Sequence, residues 1–286
     1  MFKINSNNFI LVFIFFTSQI ALSNFEFPVA YKNVSTKNSS LYNNNLTNEN
    51  LGLNDKEVIL TFDDGPRLST TPRVLETLNK YNAKAVFFMI GHKIDSSTFS
   101  LVQDIAKSGH AVGSHTYGSP SNGHSCIANT WNCKKQNVID GFSFFPSALS
   151  LNKAKREITL GHQMVAAALN GYASPFFRFP FGEHDSDLGN FLTTKNLIAF
   201  QWQIDTKDAV NPNQNSETFI QNTLNELDKY KKGIILFHDS IELTASSLES
   251  FLIQLYEKGY KPVLPLPYDV DSNQLDTNNP TLVKIK

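Results

Sequence analysis

Val58-Ile59-Leu60-Thr61-Phe62-Asp63-Asp64-Gly65-Pro66 is the stretch from which the fold is read. Five residues of strand character with no polar alternation read as a strand buried on both faces, as in a parallel sheet. Gly65-Pro66 stops it. Asp63 and Asp64 are therefore expected at the carboxyl end of a buried strand, where α/β barrels and open α/β sheets carry their chemistry. Adjacent carboxylates repel, so the pair asks for a cation, a shared proton or a basic partner. Taken alone, a solvated turn with two acids as caps accounts for the same residues.

Outward from this strand the pattern alternates. Thr70 or Thr71, then Pro72, then Val74, Leu75 and Leu78 at helical spacing predict a helix. Residues 85–90 predict a second buried strand and 97–107 a helix closed by Gly109. Residues 111–114 predict a third strand with His115 at its end. Helix returns over 151–169. Four further strands are expected over 176–179, 198–204, 233–237 and 261–264, with helices at about 216–230 and 245–258 between the last three. Seven strands with helices between most of them favour a parallel barrel or a doubly wound sheet.

The flanks read differently. Residues 1–23 have one lysine, an unbroken apolar run over 9–16 and Ala21-Leu22-Ser23, which is the pattern of a cleaved signal peptide. The run is too short to span a bilayer, which takes about 20 apolar residues, so no integral membrane span is expected after cleavage. The protein is then exported, to a periplasm or out of the cell. Residues 24–54 are rich in Asn and Ser and read as a poorly ordered leader or linker. Residues 118–149 are too long for an ordinary connection and read as an insertion. Its Cys126 and Cys133, the two cysteines of the chain, are expected to form a disulfide in an oxidising compartment. Residues 271–286 read as a C-terminal tail. A net charge of −1 with 18% charged residues gives no reason to expect nucleic acid as a partner.

Thr61-Phe62-Asp63-Asp64-Gly65-Pro66 resembles the first motif of the polysaccharide deacetylases (the NodB-homology domain, carbohydrate esterase family 4). Four further stretches match that family in order, so the resemblance spans residues 57 to about 266. It implies a distorted (β/α) barrel of about seven parallel strands in a single catalytic domain, residues 55–270. It also implies roles. Asp63 maps to the general base and Asp64 to a metal ligand. A divalent cation, zinc or cobalt, would polarise the amide carbonyl and acidify a bound water, and Asp63 would take the water's proton. Arg178-Phe179-Pro180-Phe181-Gly182 resembles the third motif, in which Arg178 pairs with the base and the Phe181 N–H lines the oxyanion hole. Leu236-Phe237-His238 matches the fifth, with His238 as the general acid that protonates the departing amine.

Two motifs depart from the family pattern. In His115-Thr116-Tyr117-Gly118-Ser119-Pro120 the first metal-binding histidine is His115, while Ser119 stands where the second belongs. One carboxylate and one imidazole make a thin site, because catalytic zinc normally has three protein ligands. Either His124 swings back as the third ligand, or a water held by Ser119 fills the place, or the site works without metal. In Asp205-Thr206-Lys207-Asp208-Ala209 both acids are kept, but Ala209 replaces the expected Trp of the acetyl pocket. By position Asp205 is the residue that orients His238 and raises its pKa, and Asp208 reads as a loop acid. Trp202 falls on the predicted strand. His92, His110 and His162 read as structural, and Glu183-His184-Asp185 as a solvated turn leading into a helix.

These residues describe an exported hydrolase that removes N-acetyl groups from an amino-sugar glycan: peptidoglycan, a chitin-like oligomer or another surface polysaccharide. A carbohydrate-binding protein on a decayed deacetylase fold is the alternative from another class, supported by Ser119, Ala209 and the insertion. A hydrolase of O-acetyl esters or non-sugar amides is a third reading.

Overall fold

A computed structural model describes the protein over residues 30–34, 45–46, 51–119, 127, 138–139, 142–143, 149–267 and 270–285. Two strands, β1 (Ala30–Val34) and β2 (Asn45–Leu46), precede β3 (Glu57–Asp63), the stretch quoted above, whose seven residues are all buried. The helix α1 (Thr71–Lys80) leads to β4 (Ala85–Met89), and α2 (Phe99–Lys107) to β5 (Ala111–Ser114). Pro72 sits in the first turn of α1, where no N–H is needed, and Val74, Leu75 and Leu78 form its buried face. The hairpin β6 (Val138–Ile139) and β7 (Phe142–Ser143) lies in the predicted insertion. Next come α3 (Leu151–Ala168), β8 (Tyr172–Ala173), β9 (Phe176–Phe177), α4 (Ser186–Thr194), β10 (Ile198–Phe200) and β11 (Ile204–Asp205). The chain closes with α5 (Ser216–Tyr230), β12 (Gly233–His238), α6 (Glu242–Glu257), β13 (Lys261–Pro267) and β14 (Val283–Lys284). Asp185 caps α4 by accepting from Leu188 N–H, so the turn at 183–185 does lead into a helix.

The seven runs read as strands all join one parallel sheet. Its hydrogen-bonded path is β11-β12-β3-β4-β5-β9-β10, with β13 on the opening residues of β3. The two ends of that path are consecutive in the chain. Only residues 201–203 separate β10 from β11, and a link that short spans at most about 14 Å. The sheet must therefore curl until its edges nearly meet, which is the distorted barrel. The predicted strand over 198–204 is two strands with this break between them, and Trp202 lies in the break.

Alternation along β3 sorts the interior. Val58, Leu60 and Phe62 face the helices in the larger core cluster, where Phe62 stacks between Phe87 at 5.2 Å and Phe237 at 5.4 Å. Ile59 faces the barrel interior with Val86, Phe88, Phe176, Phe200 and Ile234. Thr61 and Asp63 share that inward face.

The flanks differ from their reading. Part of the stretch read as a leader is sheet: β1 pairs with β13 from Ala30↔Val263 to Val34↔Pro267, and β2 pairs with β10. Leu51 and Leu53 are buried in the barrel cluster. The stretch read as a tail also packs on the domain. β14 pairs with β8, and Asn279 Nδ2 donates to Ala106 O and His110 O, each at 2.8 Å. The expected signal peptide, and His124, Cys126 and Cys133, lie outside the described residues. No helix among the described residues is long and apolar enough to cross a membrane.

Candidate active site

Asp63 ends β3 and His238 ends β12. The two strands are neighbours in register, with His238 opposite Asp63. The two side chains therefore start from backbone positions about 5 Å apart at the carboxyl end of the sheet. This juxtaposition is what a buried parallel pair enforces, and both residues were candidates from sequence.

Arg178 follows β9 and is wholly buried. Its Nη1 donates to Asp63 Oδ1 and to Thr61 Oγ1, each at 2.8 Å, and Nε and Nη2 donate to Phe200 O and Gln201 O. The guanidinium lies 4.3 Å from the Phe88 ring centre and 5.4 Å from that of Trp202. With this set the guanidinium is locked, and the pair holds one oxygen of Asp63 fixed. Burial pushes Asp63 up to about 6 against the opposing pull of Arg178. A carboxylate in that range is a serviceable base near neutral pH.

His238 has a different partner from the one expected. Its Nδ1–H donates to Asp208 Oδ1 at 2.7 Å, and its backbone N–H donates to Asp208 Oδ2 at 2.7 Å. Thr244 Oγ1 and the Ala209 N–H also donate to Asp208, which is fully buried. Burial alone would raise the Asp208 pKa, but these donors, His238 foremost, bring it below the usual carboxylate value. Burial likewise lowers His238, yet Asp208 outweighs it and pushes the imidazole up to about 10. Asp205 is turned away. Its carboxylate accepts from Lys207 N–H and pairs with Lys207 Nζ at 2.7 Å. The orienting acid is thus Asp208, and the assignment to Asp205 is corrected. The reversal comes at Lys207, whose φ of 60° turns the chain so that Asp208 points back at β12.

His115, after β5, is 3% exposed. Its Nδ1 lies 2.8 Å from Arg178 O. A carbonyl only accepts, so Nδ1 carries the hydrogen and Nε2 is the lone-pair nitrogen of a neutral ring. Burial agrees, pushing His115 down to about 4. Nε2 faces Asp64 Oδ1 at 3.7 Å and Asp63 Oδ2 at 3.9 Å. Three electron-rich atoms thus converge on one recess, the chemistry that suits a cation. The donor set nevertheless falls short. Asp63 is engaged by Arg178, which leaves one carboxylate and one imidazole, and the described residues offer no group of three His, Cys, Asp or Glu placed to hold an ion. Ser119 is a half-buried residue of an isolated bridge, and His124 is not described. The described residues alone do not complete a catalytic cation site of three protein ligands.

Around this centre the turns are tightly held. Asp64 sits at φ 70°, a left-handed conformation, and Lys93 Nζ donates to its carbonyl at 2.7 Å. Phe181, the oxyanion candidate, has φ 60° within Pro180–Gly182. Trp202 packs on the next residue: a Cβ on Gly182 would come within 2.8 Å of the indole Cη2. Ala209, where the family pattern has a Trp, is exposed. Asp208 and Lys93 are the residues that sequence reasoning passed over. For Asp208 the signal was present, since both acids of the fourth motif were noticed.

A family model described as polysaccharide deacetylase matches residues 51–197. A peptidoglycan-N-acetylglucosamine deacetylase of Bacillus cereus is 30% identical over 210 residues, covering 72% of this chain and 66% of that protein. The solved structure of a Bdellovibrio bacteriovorus peptidoglycan deacetylase superposes with a TM-score of 0.68 at 31% identity, over 85% of this chain and 60% of the other. This chain thus spans less than two thirds of the length of each. A Bacillus anthracis protein described as a CE4 family pseudoenzyme shares the fold at 21% identity, with a TM-score of 0.58 over 74% of this chain and 64% of that one.

Proposed function

The chain belongs to the polysaccharide deacetylase family, and on that premise we propose that it is an exported hydrolase of carbon–nitrogen amide bonds, one that removes N-acetyl groups from peptidoglycan or a related amino-sugar glycan outside the cytoplasm. The observation that carries this reading is the in-register pair Asp63 and His238, each with its own buried partner, Arg178 and Asp208. The two titrate far apart, near 6 and near 10, and environments that push a pair apart assign base and acid. Asp63 takes the proton of the attacking water through Oδ2, since Oδ1 is engaged by Arg178. His238, protonated at neutral pH, gives its proton to the departing amine as the carbon–nitrogen bond breaks. The Phe181 N–H is assigned to the developing oxyanion on the strength of the third motif.

Asp64 and His115 are the proposed protein ligands of a divalent cation, zinc or cobalt. When bound, such an ion polarises the acyl carbonyl and acidifies water. The third place would be filled by His124 or by a water held by Ser119, and activity indifferent to metal would point instead to a site that works without it. The test is acetate release from N-acetylglucosamine oligomers and from peptidoglycan by metal-stripped and by zinc- or cobalt-restored protein. The expected result is activity that returns with metal and is abolished by Asp63→Asn in a folded protein. His124→Ala should then lower metal affinity as far as His115→Ala does; no change assigns the third position to Ser119. Substantial turnover in Asp63→Asn removes the base assignment. Binding of glycan without acetate release under any condition favours the decayed, binding-only reading that Ser119 supports. Release from O-acetylated but not N-acetylated substrates favours an esterase.

A further inference from the structure

We propose that Asp239 is a positioning residue that holds the turn bearing the two acids, Asp63 and Asp64, in its working shape. The proposal rests on the reading of that turn as the catalytic one. Asp239 follows the acid His238 and is 0% exposed. Its Oδ2 accepts a hydrogen bond from Thr71 Oγ1. Thr71 Oγ1 in turn accepts from the Arg67 N–H at 2.9 Å. The Arg67 N–H can only donate, so Thr71 accepts from it and has its own proton to give to Asp239. It ties the far side of the turn to the end of β12. The near side is held by contact. The Asp239 carboxylate lies against Gly65, so closely that a Cβ there would overlap it. Arg67 Nη1 adds a bond to Ser240 O at 2.8 Å.

The opposite flank is fixed independently. Lys93 Nζ donates to Asp64 O, and Ile90 N–H donates to Gly65 O at 2.9 Å. Asp64 needs this support because its left-handed backbone is costly for a residue with a side chain. The carboxylate also comes at a cost of its own. Asp239 Oδ1 is buried and finds no hydrogen-bond donor among the described residues. An apolar residue of the same size would avoid that cost but could not accept from Thr71. The geometry therefore assigns Asp239 a role through Asp63 and Asp64, not on the substrate.

The experiment compares Thr71→Val, Asp239→Asn and Asp239→Ala by thermal unfolding, by the ring 1H–13C NMR signal of His115, and by kcat and KM for acetate release. His115 is the reporter because its Nε2 faces both acids. Thr71→Val keeps its shape and loses both the donor to Asp239 and the acceptor of the Arg67 N–H. It is expected to shift the His115 signal and to lower kcat about tenfold, with KM within about twofold. Asp239→Asn keeps an acceptor for Thr71 and is expected to stay within about twofold of the parent, whereas Asp239→Ala behaves like Thr71→Val or worse. If Asp239→Ala does not fold, Thr71→Val decides alone. An unmoved His115 signal and parental kcat in folded Thr71→Val overturn the proposal, as does a kcat loss that merely follows the folded fraction. Should the parent release no acetate from any glycan, the hydrolase reading falls, while the His115 signal still decides whether Asp239 positions the turn.

Discussion

Asp208 and Asp205 are three residues apart, and only one of them reaches His238. Asp208 receives four donors, among them the backbone N–H and the ring Nδ1–H of His238. Asp205 is half-exposed and held by its own loop. Asp208→Asn should therefore remove the charge that keeps the imidazole protonated. Burial would then act against Asp64 and Asp63 alone, so the His238 pKa should fall from about 10 toward its ordinary 6.5, as read by NMR titration. Acetate release should fall by about 10²-fold or more, the usual worth of a general acid. Asp205→Asn should leave both within about twofold, and the opposite pattern would restore Asp205 to the role. The linkage has a definite sign. His238 is raised in the folded state, so its contribution to stability is complete below about pH 6.5 and is lost as pH rises through about 10. The stability gap between parent and Asp208→Asn should narrow over that range. Sequence spacing made both acids visible, and position in the motif chose Asp205, which the structure turns away from His238. The choice depends on a left-handed turn at Lys207, a residue type that gives no local sign of one. By contrast Asp63, Arg178 and His238, singled out by the motif resemblance, do come together, because parallel strand ends place them side by side with no special turn.

Among the elements, α3 shows how close packing aims a site residue. Gly161 in α3 lies against the backbone of Thr116 and Tyr117, just after His115, and a Cβ there would overlap the Thr116 carbonyl. The Tyr117 N–H donates to Glu157 O at 3.0 Å, and the Gly118 N–H to a Glu157 carboxylate oxygen at 2.8 Å. The helix and the His115 turn are thus one unit. Gly161→Ala should force them apart, destabilising by about 1–3 kcal/mol in urea or thermal unfolding and lowering activity beyond the loss of folded protein. Gly189 in α4 is the control. A Cβ there meets nothing within 4 Å, so Gly189→Ala should be neutral or stabilising by about 0.5–1 kcal/mol. A destabilised Gly189→Ala, or an unaffected Gly161→Ala, would break the argument. Elements with a long apolar run or a clear helical face, such as β3, β4, β5 and α5, were readable in position and length. The 198–204 run was not read as two strands, because its sequence stays strand-like through Trp202. The break there follows from barrel closure, which is a tertiary demand: Gln201 O is needed by Arg178 and Gln203 Oε1 by the Ile234 N–H.

Across the whole molecule the two ends of the barrel carry different burdens. The carboxyl ends of β3 and β12 hold the site. The opening end of β3 holds a separate ionic cluster around Glu57, which is 4% exposed. Lys32 from β1 reaches its Oε2 at 2.6 Å, the Asn54 N–H donates to the same oxygen at 2.8 Å, and Lys261 at the start of β13 lies 3.6 Å from Oε1. This cluster fastens β1, part of the stretch read as a leader, to the barrel. The stretch around it is Asn-rich, so its composition does not announce a strand; the pairing comes from an open edge on β13 and from the buried charge of Glu57. Because the cluster lies at the far end of β3 from Asp63, stability and catalysis should separate. Glu57→Gln is expected to cost about 1.5–3 kcal/mol, the range for hydrogen bonds to a charged group. At roughly 2–4 °C per kcal/mol this is a visible drop in Tm, with kcat of the folded enzyme unchanged. Burial raises the Glu57 pKa, but Lys32 and Asn54 prevail and hold it below 4.5. Its contribution is therefore present above about pH 4.5 and is lost as pH falls, so the Tm gap between parent and Glu57→Gln should close in acid. A gap that persists at low pH would mean that shape, not charge, fastens β1. A fall in kcat at unchanged stability would mean that the two ends of the barrel are coupled after all.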